Sequence, residues 1–135
     1  MKEKNKIKKE KNEVKNFMQK KIVKIDENKT VYDVCKLMKK HNFRCIPCMN
    51  KNKLTGIITS TDIIYNLVLK NKDPKKTFAK EIMKQNPLII DENTSDIKAA
   101  FLLEKHKIKH LLVVNKQKLV GIFTKADMIK HMTKI

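Results

Sequence analysis

The hydrophobic and polar positions along the chain predict one arrangement of strands and helices. Apolar residues at Ile22–Ile25 predict a short strand, and apolar residues three and four apart predict a helix from Thr30 to His41. Two further apolar segments, Cys45–Met49 and Leu54–Thr59, flank a polar turn and predict a β-hairpin. Apolar positions after Thr59 predict a last helix, so the order of elements is β-α-β-β-α.

The second half of the chain repeats this arrangement. A shift of 65 residues, without a gap, places Gly56 on Gly121, and about a third of residues 30–64 are identical to their partners. The repeated elements are predicted at Leu88–Ile90, Ser95–His106, Leu111–Val114 and Leu119–Thr124. Thr30 and Ser95 are the predicted N-caps of the equivalent helices.

The repeat predicts an α+β fold. One unit of about 60 residues cannot easily cover both faces of its sheet, so we expect two β-α-β-β-α repeats packed sheet to sheet with pseudo-two-fold symmetry. The predicted boundaries are a basic flexible tail over residues 1–14, a first repeat over 15–72, a linker helix region over 73–82 and a second repeat over 83–135.

Composition and charge limit the functional classes. The 135 residues are 41% hydrophobic and 34% charged, which is typical of a globular protein. No apolar segment approaches the roughly 20 residues that cross a bilayer, and the N-terminus lacks a signal-peptide pattern, so we expect a cytoplasmic protein.

The net charge of +18 suggests a polyanionic partner such as nucleic acid. Residues 1–21 carry nine Lys and three Glu, or +6, so the excess is spread over the chain. Arg44 is the only arginine, although arginine is favoured for contacts to bases and phosphates. Solvated surface is the preferred interpretation, and nucleic-acid binding stays as an alternative.

A Thr-x-x-Asp unit follows the last strand of each repeat: Thr59 with Asp62, and Thr124 with Asp127. One interpretation is a capping box that stabilises the start of a helix. The other is a ligand site, because a hydroxyl beside free N–H groups at a helix start attracts anions and a carboxylate accepts hydrogen bonds from a sugar diol. The spacing alone does not separate the two.

The doubled motifs resemble a tandem pair of CBS domains, a Bateman module. The resemblance rests on Leu37-Met38-Lys39-Lys40-His41, Gly56-Ile57-Ile58-Thr59-Ser60-Thr61-Asp62 and Gly121-Ile122-Phe123-Thr124-Lys125-Ala126-Asp127, and it covers about residues 15–133. It implies a stand-alone regulatory module that binds AMP, ADP, ATP or S-adenosylmethionine in clefts between the repeats. It also implies a homodimer that signals by conformational change to a regulated partner protein.

The resemblance further implies a role for each site residue. Thr59 and Thr124 would contact phosphate, helped by Lys125, while Asp62 and Asp127 would hold the ribose hydroxyls. Adenine would meet mainly backbone groups of Lys21, Ile22, Val23, Ile46, Pro47, Asn86, Pro87, Leu88 and Leu111. Two prolines that the family favours are absent from this chain, where Ile22 and Leu112 stand instead.

Other reactive residues do not predict catalysis. Cys45 and Cys48 form a C-x-x-C spacing on a predicted strand, and we interpret them as buried cysteines rather than a redox or metal site. His41 and His106 are predicted to end equivalent helices. No catalytic triad or glycine-rich phosphate loop is present, so we expect no enzyme activity, no metal and no cofactor besides the regulatory nucleotide. A dimerisation module without ligand is a further alternative.

Overall fold

The elements of the first repeat lie close to their predicted positions in the structure, a computed structural model that describes residues 12–133. They are β1 (Ile25–Asp26), α1 (Val31–His41), β2 (Cys45–Asn50), β3 (Lys53–Thr59) and α2 (Ser60–Ile63, continued as a π-helix over Ile64–Val68). The short elements α3 (Ala79–Ile82) and β4 (Lys84–Gln85) follow α2 in the chain and precede the second set of β-α-β-β-α elements. The Thr30 hydroxyl accepts the Asp33 N–H, which confirms the predicted N-cap.

The second repeat has the same order of elements. They are β5 (Ile89–Asp91), α4 (Asp96–Lys105), β6 (His110–Asn115), β7 (Lys118–Thr124) and α5 (Lys125–Thr133). Ser95 is the N-cap of α4, as predicted, and accepts the Lys98 N–H. The α+β class and the doubled repeat are therefore confirmed.

Two compact units divide these elements. Unit I is Val23–Pro87, and its sheet has the strand order β1-β2-β3-β4, with β1 parallel to β2 and the other pairs antiparallel. Unit II contains the described residues 12–22 and 88–133, with the strand order β5-β6-β7. Each unit thus includes a segment from the start of the other repeat.

Each unit has its own apolar core between its sheet and its helices. In unit I, Ile46 and Ile58 of the sheet are fully buried with Val31 and Val34 of α1. The unit II core contains Leu111 and Phe123 of its sheet with Leu103 of α4, together with Val14 from a short 3-10 helix at Val14–Asn16. Burial of these side chains is the main contribution to the stability of each unit.

Some boundaries differ from the sequence prediction. The predicted strand at Ile22–Ile25 begins only at Ile25, and the predicted linker helix is shorter, at Ala79–Ile82. The two-residue strand β4 was not predicted, because Lys84 and Gln85 carry no apolar signal. Of the tail predicted over residues 1–14, residues 1–11 lie outside the described part of the chain, and Val14 is fully buried.

Candidate ligand-binding site

Both Thr-x-x-Asp units form reciprocal caps at the start of a helix. The Thr59 N–H donates to Asp62 Oδ2 at 2.8 Å, and the Asp62 N–H donates to the Thr59 hydroxyl at 3.4 Å. The equivalent bonds between Thr124 and Asp127 are 2.9 and 3.0 Å. The capping-box interpretation is therefore confirmed in both repeats.

The cap uses only one oxygen of each carboxylate. The second oxygen, Oδ1, lies 3.7 Å from the Lys84 ammonium at Asp62, and it accepts a 3.2 Å hydrogen bond from the Gln19 amide at Asp127. Both aspartates are buried, with 3% and 7% of their surface exposed. A buried carboxylate needs such donors, and a ligand hydroxyl can replace them. The cap and a ligand contact are thus compatible.

Backbone pairing places Gln19 and Lys84 beside these carboxylates. Gln19 forms an antiparallel bridge with Ile122 of β7, with N–H to oxygen bonds of 2.8 and 3.0 Å, and Lys84 of β4 pairs with Ile57 of β3. Gln19 and Lys84 are themselves 65 residues apart, as are Ile57 and Ile122. The two carboxylates therefore have equivalent surroundings in which the donor facing Oδ1 differs: Gln19 at Asp127 and Lys84 at Asp62.

An open pocket of about 370 Å³ lies beside Asp127 in unit II. Its lining contains three basic side chains, Lys20, Lys130 and His131, together with Asp127. The other lining residues are Asn16, Phe17, Met18 and Gln19. The His131 Nε2 atom lies 2.9 Å from buried Asp96, and its ring packs on Phe17 with the centroids 3.6 Å apart. These contacts fix the imidazole at the pocket wall.

Comparison with protein families agrees with the repeat and the fold. The family model described as CBS domain matches residues 14–69 and 79–134. The chain belongs to the CBS-domain family. Its two CBS domains are arranged in tandem, as the internal repeat predicted.

Curated CBS proteins resemble most of the chain. The CBS domain-containing protein YhcV of Bacillus subtilis is 30% identical over 85% of this chain and 81% of its own length. Hypoxic response protein 1 of Mycobacterium tuberculosis is 27% identical over 80% of this chain and 76% of its own length.

One solved CBS pair contains adenosine compounds. It is the CBS domain pair of protein MJ0100 in complex with 5′-methylthioadenosine and S-adenosyl-L-methionine. It is 29% identical to this CBS pair, covers 89% of this chain and 94% of its own, and has a TM-score of 0.80.

The residues predicted to contact ligand fall into both units. Thr124, Asp127, Lys21 and Ile22 lie in unit II, whereas Val23 lies in unit I. Unit I also contains Thr59, Asp62, Ile46, Pro47, Asn86 and Pro87. Unit II also contains Leu88 and Leu111. The Val23 and Leu88 side chains pack against the apolar core of their own unit.

Strands β2 and β6 can contact a ligand through backbone groups rather than through side chains. Ile46, Pro47 and Leu111 are fully buried, and Ile46 and Leu111 belong to the two cores. Lys125, predicted as a phosphate contact, has its ammonium 4.0 Å from Glu104 and does not line the pocket beside Asp127. Gln19, Lys130 and His131 were not predicted as site residues; the shift of 65 residues, which places Met18 on Met83, was a signal for Gln19 alone.

His110 and the cysteines have environments that favour their neutral forms. Burial lowers the pKa of His110, and the charge of Lys109 lowers it further, while the Asp127 carboxylate opposes both. Burial raises the pKa of Cys45 and of Cys48 to about 12, so both thiols stay protonated at neutral pH. Both lie buried in β2, in agreement with the interpretation as buried cysteines.

The described residues contain neither a metal-binding cluster nor a helix that could span a membrane. Within residues 12–133, no cluster of three or more His, Cys, Asp or Glu side chains could hold a metal ion. Over the same range, no helix combines the length and the apolar character that crossing a bilayer requires.

Proposed function

We propose that this CBS pair is a regulatory module that binds an adenosine nucleotide, with its main site at Thr124 and Asp127. The observation that carries the proposal is the divided use of the Asp127 carboxylate: Oδ2 caps α5, while Oδ1 is held at the pocket by the Gln19 amide. A ribose diol can replace that amide, because it also donates hydrogen bonds to a carboxylate oxygen.

The charges of the pocket suit a phosphorylated ligand. Lys20 and Lys130 have exposed side chains at the lining, where they can move towards a phosphate, and His131 adds a third basic group. The Thr124 hydroxyl accepts the Asp127 N–H at the start of α5, so its own hydrogen can be donated to a ligand oxygen. Ribose would therefore lie at Asp127, and phosphates would lie among these basic side chains.

The relative with bound adenosine compounds supports the ligand class. The CBS pair of protein MJ0100 is in complex with 5′-methylthioadenosine and S-adenosyl-L-methionine, and it is 29% identical to this chain. In this chain a bound nucleotide would act by favouring one of two conformations, and a partner protein with different affinities for them would respond.

Thermal shift measurements with AMP, ADP, ATP and S-adenosylmethionine at two salt concentrations test the proposal. We expect one of them to raise the unfolding temperature by several degrees with little dependence on salt. A protein that none of them stabilises, but that binds DNA or RNA with an affinity falling steeply with salt, would instead be a nucleic-acid-binding module.

We also propose a homodimer, because apolar side chains are exposed on two helices of unit II that pack together. On α4, Ile97 and Phe101 are 75% and 60% exposed and lie one turn apart. On α5, Ile129 and Met132 are 62% and 63% exposed. A second copy of the chain would remove this apolar surface from water.

A further inference from the structure

The two aspartates of the repeats differ in the group that faces their second oxygen. At Asp127 this group is the neutral amide of Gln19, 3.2 Å from Oδ1, and at Asp62 it is the ammonium of Lys84, 3.7 Å from Oδ1. Gln19 and Lys84 are equivalent in the repeat and pair with equivalent strand positions. The bond from the threonine N–H to Oδ2 is common to both carboxylates.

We infer that Gln19 and Lys84 determine which carboxylate a nucleoside occupies first, so that Asp127 is the high-affinity site and Asp62 the low-affinity site. The inference rests on the proposed function and extends it to the number and order of ligands. It needs no difference in the aspartates themselves, in their threonine partners or in their burial.

The reason lies in the charge that the ligand must replace. When ribose hydroxyls displace the Gln19 amide, one set of neutral donors replaces another, and the balance of charge at buried Asp127 is unchanged. When they displace the Lys84 ammonium, buried Asp62 loses its counter-ion and the hydroxyls do not replace that charge. Removing one partner of a buried ion pair leaves the other charge without compensation, so this exchange is less favourable.

The hydroxyl of each threonine agrees with this order. The Thr59 hydroxyl lies 3.0 Å from Asp62 Oδ2, to which it donates, so its hydrogen is committed to the carboxylate. Thr124 accepts the Asp127 N–H, and its hydroxyl can direct its hydrogen to a ligand oxygen. Both differences therefore favour the Asp127 site.

Adenosine is the appropriate probe, because it carries the ribose diol and adenine but no charge. A phosphate would attract Lys84 and obscure its competition with the diol. Isothermal titration of adenosine into the wild-type chain is expected to show one site, with a second at least tenfold weaker, a ratio that corresponds to about 1.4 kcal/mol.

Two reciprocal substitutions exchange the donors. Lys84→Gln gives unit I the donor of unit II, and we expect a second adenosine site within about threefold of the first. Gln19→Lys gives unit II the donor of unit I, and we expect the first site to weaken about tenfold. Both side chains are exposed, so neither change removes a core contact, and the unfolding temperature of each variant checks the fold.

The double variant Gln19→Lys/Lys84→Gln serves as the matched control. It should again show one strong site, which Asp62→Asn removes and Asp127→Asn does not. Two equal sites in the wild type, or unchanged binding in Lys84→Gln, would overturn the inference but leave the proposed function standing. If neither adenosine nor any adenosine nucleotide binds any of these chains, both are wrong.

Discussion

Gly121 passes so close to Gln19 that a Cβ atom on the glycine would lie 2.9 Å from the Gln19 carbonyl oxygen. The equivalent Gly56 has the same relationship to Lys84, whose carbonyl oxygen would lie 2.8 Å from the added atom. Real Cβ atoms do not approach a backbone oxygen this closely. The two glycines of the chain therefore allow the backbone pairing that places the donors beside Asp127 and Asp62.

Gly121→Ala should consequently destabilise the protein by about 1–3 kcal/mol, the usual cost of overpacking. Denaturation by urea measures the effect, and Gly56→Ala is expected to behave in the same way. An unchanged free energy of unfolding in Gly121→Ala would contradict the close contact.

Removal of either threonine hydroxyl should destabilise its helix. Thr59→Val and Thr124→Val keep the shape of the side chain but remove the acceptor of the Asp62 or Asp127 N–H. The expected loss in the free energy of unfolding is about 0.5–2 kcal/mol for each. Thr61→Val, at an exposed position in the first turn of α2, is the matched control and should change little. If Thr59→Val and Thr61→Val lowered the free energy of unfolding equally, the cap would not stabilise the protein.

The sequence predicted the elements and caps because they depend on local patterns. Apolar spacing indicated α1, and the hydroxyl of Thr30 marked its start. The neighbours of Asp127 depend instead on which segments pair across the chain: Gln19 lies near the start of the first repeat but pairs with the last strand of the second. No local pattern encodes that pairing. Lys125 lies within the Thr-x-x-Asp motif, but Lys130 and His131, one helical turn after Asp127, line the pocket.

His110 should make stability depend on pH. The pKa of His110 is lowered in the folded protein, so below the ordinary value of 6.5 the unfolded chain binds a proton that the folded chain does not. The contribution of neutral His110 is complete above pH 6.5 and is lost as the pH falls below that value. His110→Cys, which introduces the residue found at the equivalent Cys45, should lose less stability between pH 7 and pH 5 than the wild type. Equal losses in urea denaturation would show that His110 does not titrate in this way.

The molar mass, measured by light scattering as the protein elutes from a size-exclusion column, tests the proposed homodimer. A charge at Phe101, which is 60% exposed on α4, would have to be buried in the dimer, so Phe101→Glu should shift the mass from dimer to monomer. Lys107→Glu, an exposed change just after the helix, should leave the dimer intact. A Phe101→Glu variant that stays dimeric would place the interface elsewhere.

The central claim is that Asp127 holds the ribose diol of an adenosine ligand, and a cycle of two ligands and two proteins tests it most directly. Binding of adenosine and of 2′,3′-dideoxyadenosine is measured by isothermal titration for Asp62→Asn, which removes the second diol site, and for Asp62→Asn/Asp127→Ala. A charge-assisted hydrogen bond is worth about 1.5–3 kcal/mol, so loss of the diol should weaken binding about 10- to 150-fold in the chain that keeps Asp127 and hardly at all in the chain with Asp127→Ala. The same loss in both proteins, or in neither, would contradict the claim.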